Sequence, residues 1–147
     1  MHNCRRAGIA TKGYVMVGLP GETPETIHET ERFVLGLDLD LLTVNHFVCY
    51  PGTLDWQRAD RFGEVDRSWD ACSEHRISFV PTGLTREDLL AARRRIVRRF
   101  YLRPRILGRA AVMARSASGW EYLARGAAGL WGLLARGPRL TRARRGS

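Results

Sequence analysis

The sequence predicts an α/β fold built around a single β-α-β unit. The run Tyr14–Val17 is apolar, β-prone and continuous, and a second run of the same kind extends from about Leu41 to Tyr50. Such runs are typical of parallel strands that are covered on both faces. A glycine-rich loop and a helix lie between the two runs. This order implies parallel pairing with a right-handed crossover.

The chain opens with the tail of a helix that ends at Gly8, a residue type common at helix C-termini. Because this helix starts without a capping residue, we expect the chain to be the C-terminal piece of a longer fold. After the first strand, Thr23 is in position to cap a helix and Pro24 suits its first turn. The apolar face of that helix comprises Ile27, Thr30, Val34 and Leu37, with Phe33 beside them.

Residues 51–84 carry turn formers, Trp56 and Trp69, and little periodicity, which is typical of ligand loops in α/β folds. A second long helix begins near Thr85, where Asp88 completes a capping box, and ends before Pro104. Its apolar face comprises Leu89, Ile96, Val97, Phe100 and Tyr101, and its other face carries Arg93, Arg94, Arg95, Arg98 and Arg99. We divide the chain into residues 1–84, a basic helical extension over 85–136, and a disordered basic tail over 137–147.

Charge is distributed unevenly along the 147 residues. The formal net charge is +9, but residues 1–75 hold seven Lys/Arg against twelve Asp/Glu, whereas residues 76–147 hold seventeen against three. Cys4, Cys49 and Cys72 are too few and too widely spaced for a disulfide framework or a self-contained metal site. The start lacks the apolar stretch of a signal peptide, and no run reaches the roughly 20 apolar residues of a spanning helix. We expect a cytoplasmic protein, with contact to a membrane surface left open.

Two spaced motifs carry a family resemblance. The run Gly13–Thr23 contains the sequence GLPGET, and Tyr50–Thr53 reads YPGT. Together they resemble the radical S-adenosylmethionine superfamily, in which these segments end the fifth and sixth strands of a partial (β/α)6 barrel. The run Phe100–Arg105 looks like the C-terminal region of the cobalamin-dependent branch, which includes porphyrin-ester cyclases and methylases. The resemblance implies the last strands of a TIM-like barrel, followed by a helical extension.

The resemblance also implies a cofactor site. The positions that match the family would touch the adenosyl part of S-adenosylmethionine: Gly18 and Gly21 in the loop, Met16 or Val17 as the apolar wall, and Tyr50 across the strands. The CxxxCxxC motif for the 4Fe–4S cluster is absent, and so is a cobalamin-binding domain. A missing N-terminal half or a partner subunit would supply both, and the isolated chain would be inactive.

Other interpretations of the same residues remain open. A plain strand-turn-helix connection explains the glycine loop, and Glu22 suits either a helix N-terminus or a ligand contact. Of Asn45 and His46 in the second strand, one would face the barrel interior. The arginine-rich face is typical of a solvated helix or of a surface for anionic partners, including lipid, through residues 85–136. A small arginine-rich module and a non-functional remnant stay as alternatives, although the lack of interleaved aromatic residues argues against nucleic acid.

Overall fold

The computed structural model describes residues 2–73 and 76–113. The chain divides into two units, Met1–Arg103 and Pro104–Ser147, so the boundary expected after residue 84 falls inside the first unit. The helices are α1 (His2–Arg6), α2 (Pro24–Gly36), α3 (Leu54–Arg58), α4 (Arg86–Tyr101) and α5 (Pro104–Met113). The strands are β1 (Lys12–Val17), β2 (Leu41–His46), β3 (Gly63–Val65) and β4 (Phe79–Pro81), and short 3-10 turns lie at Ala59–Arg61 and Trp69–Ala71.

The strands form two separate sheets of two strands each. β1 and β2 pair in parallel, with Lys12 opposite Leu41 and Val17 opposite His46, as the β-α-β order predicts. β3 and β4 pair antiparallel. The described part of the chain is therefore mixed α/β.

The two faces of the β1–β2 sheet have different surroundings. One face carries Val17, Leu42 and Val44, which are buried; α4 packs across this face, and α2 packs against α4. On the opposite face Tyr14 and Met16 are 68% and 51% exposed. The expectation that both faces would be covered is therefore wrong for the described residues, because Tyr14 and Met16 are more than half exposed on this face.

Both long helices begin where the sequence predicts. The Thr23 side chain accepts the N–H of Thr26 at the start of α2, and Pro24 is the first residue of that helix. The Thr85 side chain accepts the N–H of Asp88 at the start of α4, and the Asp88 carboxylate accepts the N–H of Thr85 in return. These reciprocal bonds pair backbone donors that have no partner inside the first turn.

The contact between α2 and α4 includes an ion cluster around one buried carboxylate, which the sequence did not predict. Glu31 is 1% exposed, and its two oxygens accept hydrogen bonds from Arg95 at 2.7 Å and Arg99 at 2.9 Å. Phe33, expected beside the core, is 68% exposed instead. The arginine-rich face of α4 is therefore not simply a solvated face, because two of its members hold α2 in place.

The C-terminal end of α2 is held by a residue far along the chain. The Arg103 guanidinium donates to the carbonyl of Leu35 at 2.7 Å and to that of Leu37 at 3.4 Å. It also lies over the Phe100 ring, 4.2 Å from the ring centroid. These bonds pair carbonyl groups that the last turn of a helix leaves without partners.

β2 ends at His46, earlier than the predicted end at Tyr50. The following residues pack into a second small core with Cys49, Ala59 and Phe79 buried at its centre. The rings of Phe47 and Phe79 meet edge to face with centroids 5.8 Å apart. Apolar residues after the strand therefore serve this core rather than the sheet.

Among residues 2–73 and 76–113, no helix has the length and hydropathy required to cross a membrane. Residues 114–136 of the predicted helical extension and the predicted disordered tail over 137–147 lie outside the described residues.

Candidate functional site

The GLPGET loop connects β1 to α2 through a tight turn. The N–H of Glu22 donates to the carbonyl of Leu19 at 3.0 Å, and Gly21 has a φ of +80°. A type II turn requires a positive φ at its third position, where glycine is favoured, and proline is common at its second position. Thr23 then caps α2. Each residue of Leu19–Thr23 thus has a local structural role.

The YPGT loop after β2 repeats this arrangement. The N–H and the hydroxyl of Thr53 both donate to the carbonyl of Tyr50, at 3.3 Å and 2.7 Å. Gly52 has a φ of +84°, and the Thr53 hydroxyl accepts the N–H of Trp56 at the start of α3. Both parallel strands are therefore followed by a Pro-Gly turn and a threonine cap. The carboxyl ends of parallel strands, where such loops lie, are the usual place for ligands in α/β folds.

The Glu22 side chain accepts hydrogen bonds from backbone N–H groups at the end of β1. Its side chain is buried, and one carboxylate oxygen accepts the N–H of Gly18 and, at 3.3 Å, the N–H of Leu19. Burial raises the pKa of Glu22, and the two backbone donors only partly offset this effect. The sequence suggested that Glu22 is either a charge at the N-terminus of α2 or a ligand contact. In the structure its carboxylate stabilises the turn through the N–H groups of Gly18 and Leu19.

The two wall candidates, Met16 and Val17, lie on opposite faces of the sheet. Met16 lies on the open face and is 51% exposed, whereas Val17 is fully buried. Successive side chains of a strand point to opposite faces, so the two residues cannot line the same surface. Of the pair, Met16 is the one that a ligand on the open face would touch.

The two loop glycines also differ. Gly18 has a φ of +85°, and a Cβ built on it lies 3.2 Å from the Leu89 side chain. It is therefore packed against α4, and its N–H is already bonded to Glu22. Gly21 has open space around it. Of the two, Gly21 leaves more room for a ligand to approach the backbone.

Tyr50 stands beyond the end of β2 and is 51% exposed. Its carbonyl belongs to the Pro-Gly turn described above, and its ring lies at the protein surface. Met16 and Val17 are the last two residues of β1 and Gly18 follows them, while Val17 lies opposite His46 in β2, four residues before Tyr50. The five predicted positions thus lie at the carboxyl end of one sheet. Three of them are accessible to a ligand: the side chains of Met16 and Tyr50, and the backbone at Gly21.

Asn45 and His46 separate as the alternation of a strand requires. Asn45 lies opposite Met16 and shares the open face. His46 is 3% exposed on the covered face, and neither ring nitrogen has a hydrogen-bond partner among the described residues. Burial, together with the charges of Arg93 and Arg86, lowers the pKa of His46 to about 4. Its ring is therefore neutral at physiological pH.

The described residues offer no donor set for a metal. No group of three His, Cys, Asp or Glu side chains comes together in residues 2–73 and 76–113. Cys49 is buried, and burial together with the nearby Asp55 charge raises the pKa of its thiol. A thiol with a raised pKa is a poor nucleophile and metal ligand. This cysteine is part of the second small core rather than of a reactive site.

No protein-family profile, curated protein or solved structure matches the chain.

Proposed function

We propose that this chain is the C-terminal part of a radical S-adenosylmethionine enzyme of the cobalamin-linked type, and that its β1–β2 sheet supplies one wall of the adenosyl pocket. The supporting observation is the exposure of Met16 at the carboxyl end of β1, on the sheet face where Tyr14 is exposed as well. Barrel enzymes bind ligands at this end of their strands. The sequence motifs that suggest the family lie in the two loops that follow these strands.

The accessible residues suit the adenine end of the cofactor. An adenine ring requires an apolar surface and backbone groups at its edge. Met16 would supply the surface, Gly21 would let the backbone come close, and Tyr50 would line the rim. Gly18 would shape the loop through its positive φ, while its N–H stays with Glu22. Val17 would support Met16 from the core.

The proposal assigns the remaining cofactors to no residue of this chain. A 4Fe–4S cluster would supply the electron that cleaves S-adenosylmethionine, but the described residues contain no group of three candidate ligands. No residue is assigned to cobalamin either. In this proposal both groups belong to a missing N-terminal half or a partner subunit, and the assembled enzyme works in the cytoplasm. The chain alone would bind the adenosyl group without turning it over.

Calorimetry on the purified chain tests this proposal. S-adenosylmethionine and 5′-deoxyadenosine are titrated separately, without oxygen, at two salt concentrations. We expect both ligands to bind, with little effect of salt, because the proposed wall contacts the uncharged adenosyl part. Met16→Asp should abolish binding by placing a charge against the adenine.

Phe33→Asp is the matched control, because Phe33 is another exposed apolar residue that lies on α2 and away from the site. This variant should bind both ligands as the original chain does. Absence of binding at millimolar ligand, or binding that Met16→Asp leaves unchanged, would overturn the proposal. Binding that disappears at high salt would indicate attraction to a charged surface instead.

A further inference from the structure

Two cysteines are neighbours in the structure although 23 positions separate them in the chain. Cys49 follows β2 and is buried in the second small core. Cys72 directly follows the 3-10 turn Trp69–Ala71 and is half-buried. The Cys72 Sγ lies 4.0 Å from the carbonyl oxygen of Cys49. That oxygen is two bonds from the Cα of Cys49, so the Cys72 sulfur lies beside the backbone that carries the Cys49 thiol.

Backbone hydrogen bonds hold the two segments together. The N–H of Cys49 donates to the hydroxyl of Ser78 at 3.3 Å. The carbonyl of Ser78 accepts the N–H of Asp66 at 2.7 Å. Ser78 thus joins Cys49 to the start of the segment 66–73, which carries Cys72. Cysteines whose backbones are held near each other meet the first geometric requirement for a disulfide.

The hydrogen bonds of Cys72 itself are weak. Its S–H points to two carbonyl oxygens, that of Cys49 at 4.0 Å and that of Ser68 at 3.8 Å. A thiol is a weak donor, so little is lost when this side chain turns toward the Cys49 thiol. Burial and the Asp55 charge raise the pKa of Cys49 most, and the Cys72 thiol adds to this rise. Because such an influence falls with distance, it indicates that the two sulfurs are near each other.

The unequal exposure of the two thiols sets an order of reaction with a disulfide reagent. Cys49 is 1% exposed and cannot meet a reagent from solution, whereas Cys72 is partly accessible. A Cys72 thiolate attacks one sulfur of glutathione disulfide, whose S–S bond breaks as one glutathione thiolate leaves. The Cys49 thiol then loses its proton to water, and its sulfur displaces the second glutathione from Cys72. Two cysteine thiols are oxidised, and one glutathione disulfide is reduced to two glutathione molecules.

We propose that Cys49 and Cys72 form a reversible disulfide by exchange with glutathione, and that this bond fastens the segment 66–73 to the residue before the YPGT loop. Both thiols are free in the structure, which is therefore the reduced form. The inference requires no cofactor and no binding of the adenosyl group. It therefore stands or falls independently of the adenosyl proposal.

Peptide mapping of the oxidised chain tests the bond. The dilute chain is incubated without oxygen at several ratios of reduced to oxidised glutathione, and free thiols are then alkylated. Trypsin places Cys49 in the peptide 33–58 and Cys72 in the peptide 68–76. When oxidised glutathione predominates, we expect these two peptides to be linked, with the loss of two hydrogen atoms in mass. Excess reduced glutathione should restore both thiols. A link that survives this excess would overturn the proposed reversibility.

Three cysteine variants separate the two roles. Cys4→Ser is the matched control, because it removes a cysteine outside the pair, and it should form the link as the original chain does. In this background, Cys49→Ala should keep one glutathione on Cys72, because no second thiol displaces it. Cys72→Ser should leave Cys49 unmodified. A link through Cys4, chains joined through Cys72, or glutathione that stays on Cys72 in the original chain would overturn the proposal.

Amide hydrogen exchange tests the fastening. The N–H groups of Ala71 and Cys72 donate within the turn, to the carbonyls of Ser68 and Trp69. We expect their exchange to slow by about tenfold or more in the oxidised chain, because the link restrains opening of this turn. Exchange at Leu42, in β2, should stay unchanged. Cys49→Ala carrying glutathione should show no slowing. Unchanged exchange at Ala71 and Cys72 in the linked chain would show that the bond fastens nothing.

Discussion

The Glu22 carboxylate accepts the backbone N–H of Gly18, the residue that directly follows the first strand of the parallel pair. The same oxygen accepts the N–H of Leu19, so one buried side chain pairs two donors that would otherwise lie at the end of the strand without partners. The acidic residue of the GLPGET motif thus stabilises the loop in which it lies.

This relationship predicts a difference between two substitutions at Glu22. Glu22→Ala should reduce the free energy of unfolding by about 2 kcal/mol, because it leaves two backbone donors unpaired, one of them buried. Glu22→Gln should cost less than half as much, since the amide oxygen still accepts and the buried charge is gone. Urea denaturation measures both values. Equal losses would show that the hydrogen bonds to Gly18 and Leu19 do not hold the loop.

Glu31 provides a second prediction, based on its bonds to Arg95 and Arg99. Burial alone would raise the pKa of Glu31, but the hydrogen bonds and charges of these arginines outweigh burial and lower it overall. Glu31→Gln should cost about 2 kcal/mol, a value reduced from that of a fully buried pair because both arginines are partly exposed. Glu29→Gln is the matched control on the exposed side of α2 and should change stability by less than about 0.5 kcal/mol.

The same ion cluster has a defined dependence on pH. Because the pKa of Glu31 is lower in the folded chain than in the unfolded one, its contribution is complete above its ordinary pKa of 4.5 and is lost as the pH falls through the folded value. The difference in stability between the original chain and Glu31→Gln should therefore shrink in acid. A difference that stays constant down to about pH 3 would contradict the role assigned to the charge.

His46 predicts a loss of stability in a higher pH range. Its pKa is about 4 when folded against an ordinary value of 6.5, so only the unfolded chain takes up a proton as the pH falls between these values. The chain should lose about 3 kcal/mol of stability across this range from His46 alone. His46→Leu removes the group that takes up this proton. The stability of the variant should therefore fall less over the same pH range, by that amount. Thermal unfolding at pH values near 7 and 4 measures the difference.

The glycines of the first loop predict unequal costs for the same substitution. Gly18→Ala places a Cβ at positive φ and 3.2 Å from the Leu89 side chain, whereas Gly21→Ala meets only the positive φ. We expect a loss of about 1 kcal/mol for Gly21→Ala and roughly twice that for Gly18→Ala. Chemical denaturation distinguishes the two. Equal losses would indicate that Leu89 moves aside without cost.

Local features of this fold could be predicted from the sequence, because their causes are local. Thr23 and Thr85 cap their helices through bonds to residues three positions on, and the spacing of those residues is visible in the sequence. The parallel pairing of β1 and β2 follows from the helix between them. The early end of β2 could not be predicted, because the apolar residues Phe47 and Cys49 continue the pattern of the strand but pack in the second small core.

Features that depend on distant partners were not predictable. The sequence predicts Phe33 beside the core, yet Phe33 is exposed, and Glu31 is buried with its carboxylate bonded to Arg95 and Arg99, 64 and 68 residues away. The candidate site follows the same rule. Met16 and Val17 look equivalent in the sequence, and only the position of α4 determines that Val17 lies in the core and Met16 on the open face.

The bonds from Arg103 to the end of α2 have a consequence for the order of events during synthesis. The carbonyls of Leu35 and Leu37 receive their donor from a residue 68 and 66 positions later. At about 5–20 residues per second, a ribosome needs several seconds to make the segment between them. During that interval the emerging β-α-β segment has a helix end without its partner. The first unit therefore completes its folding only when Arg103 has left the ribosome.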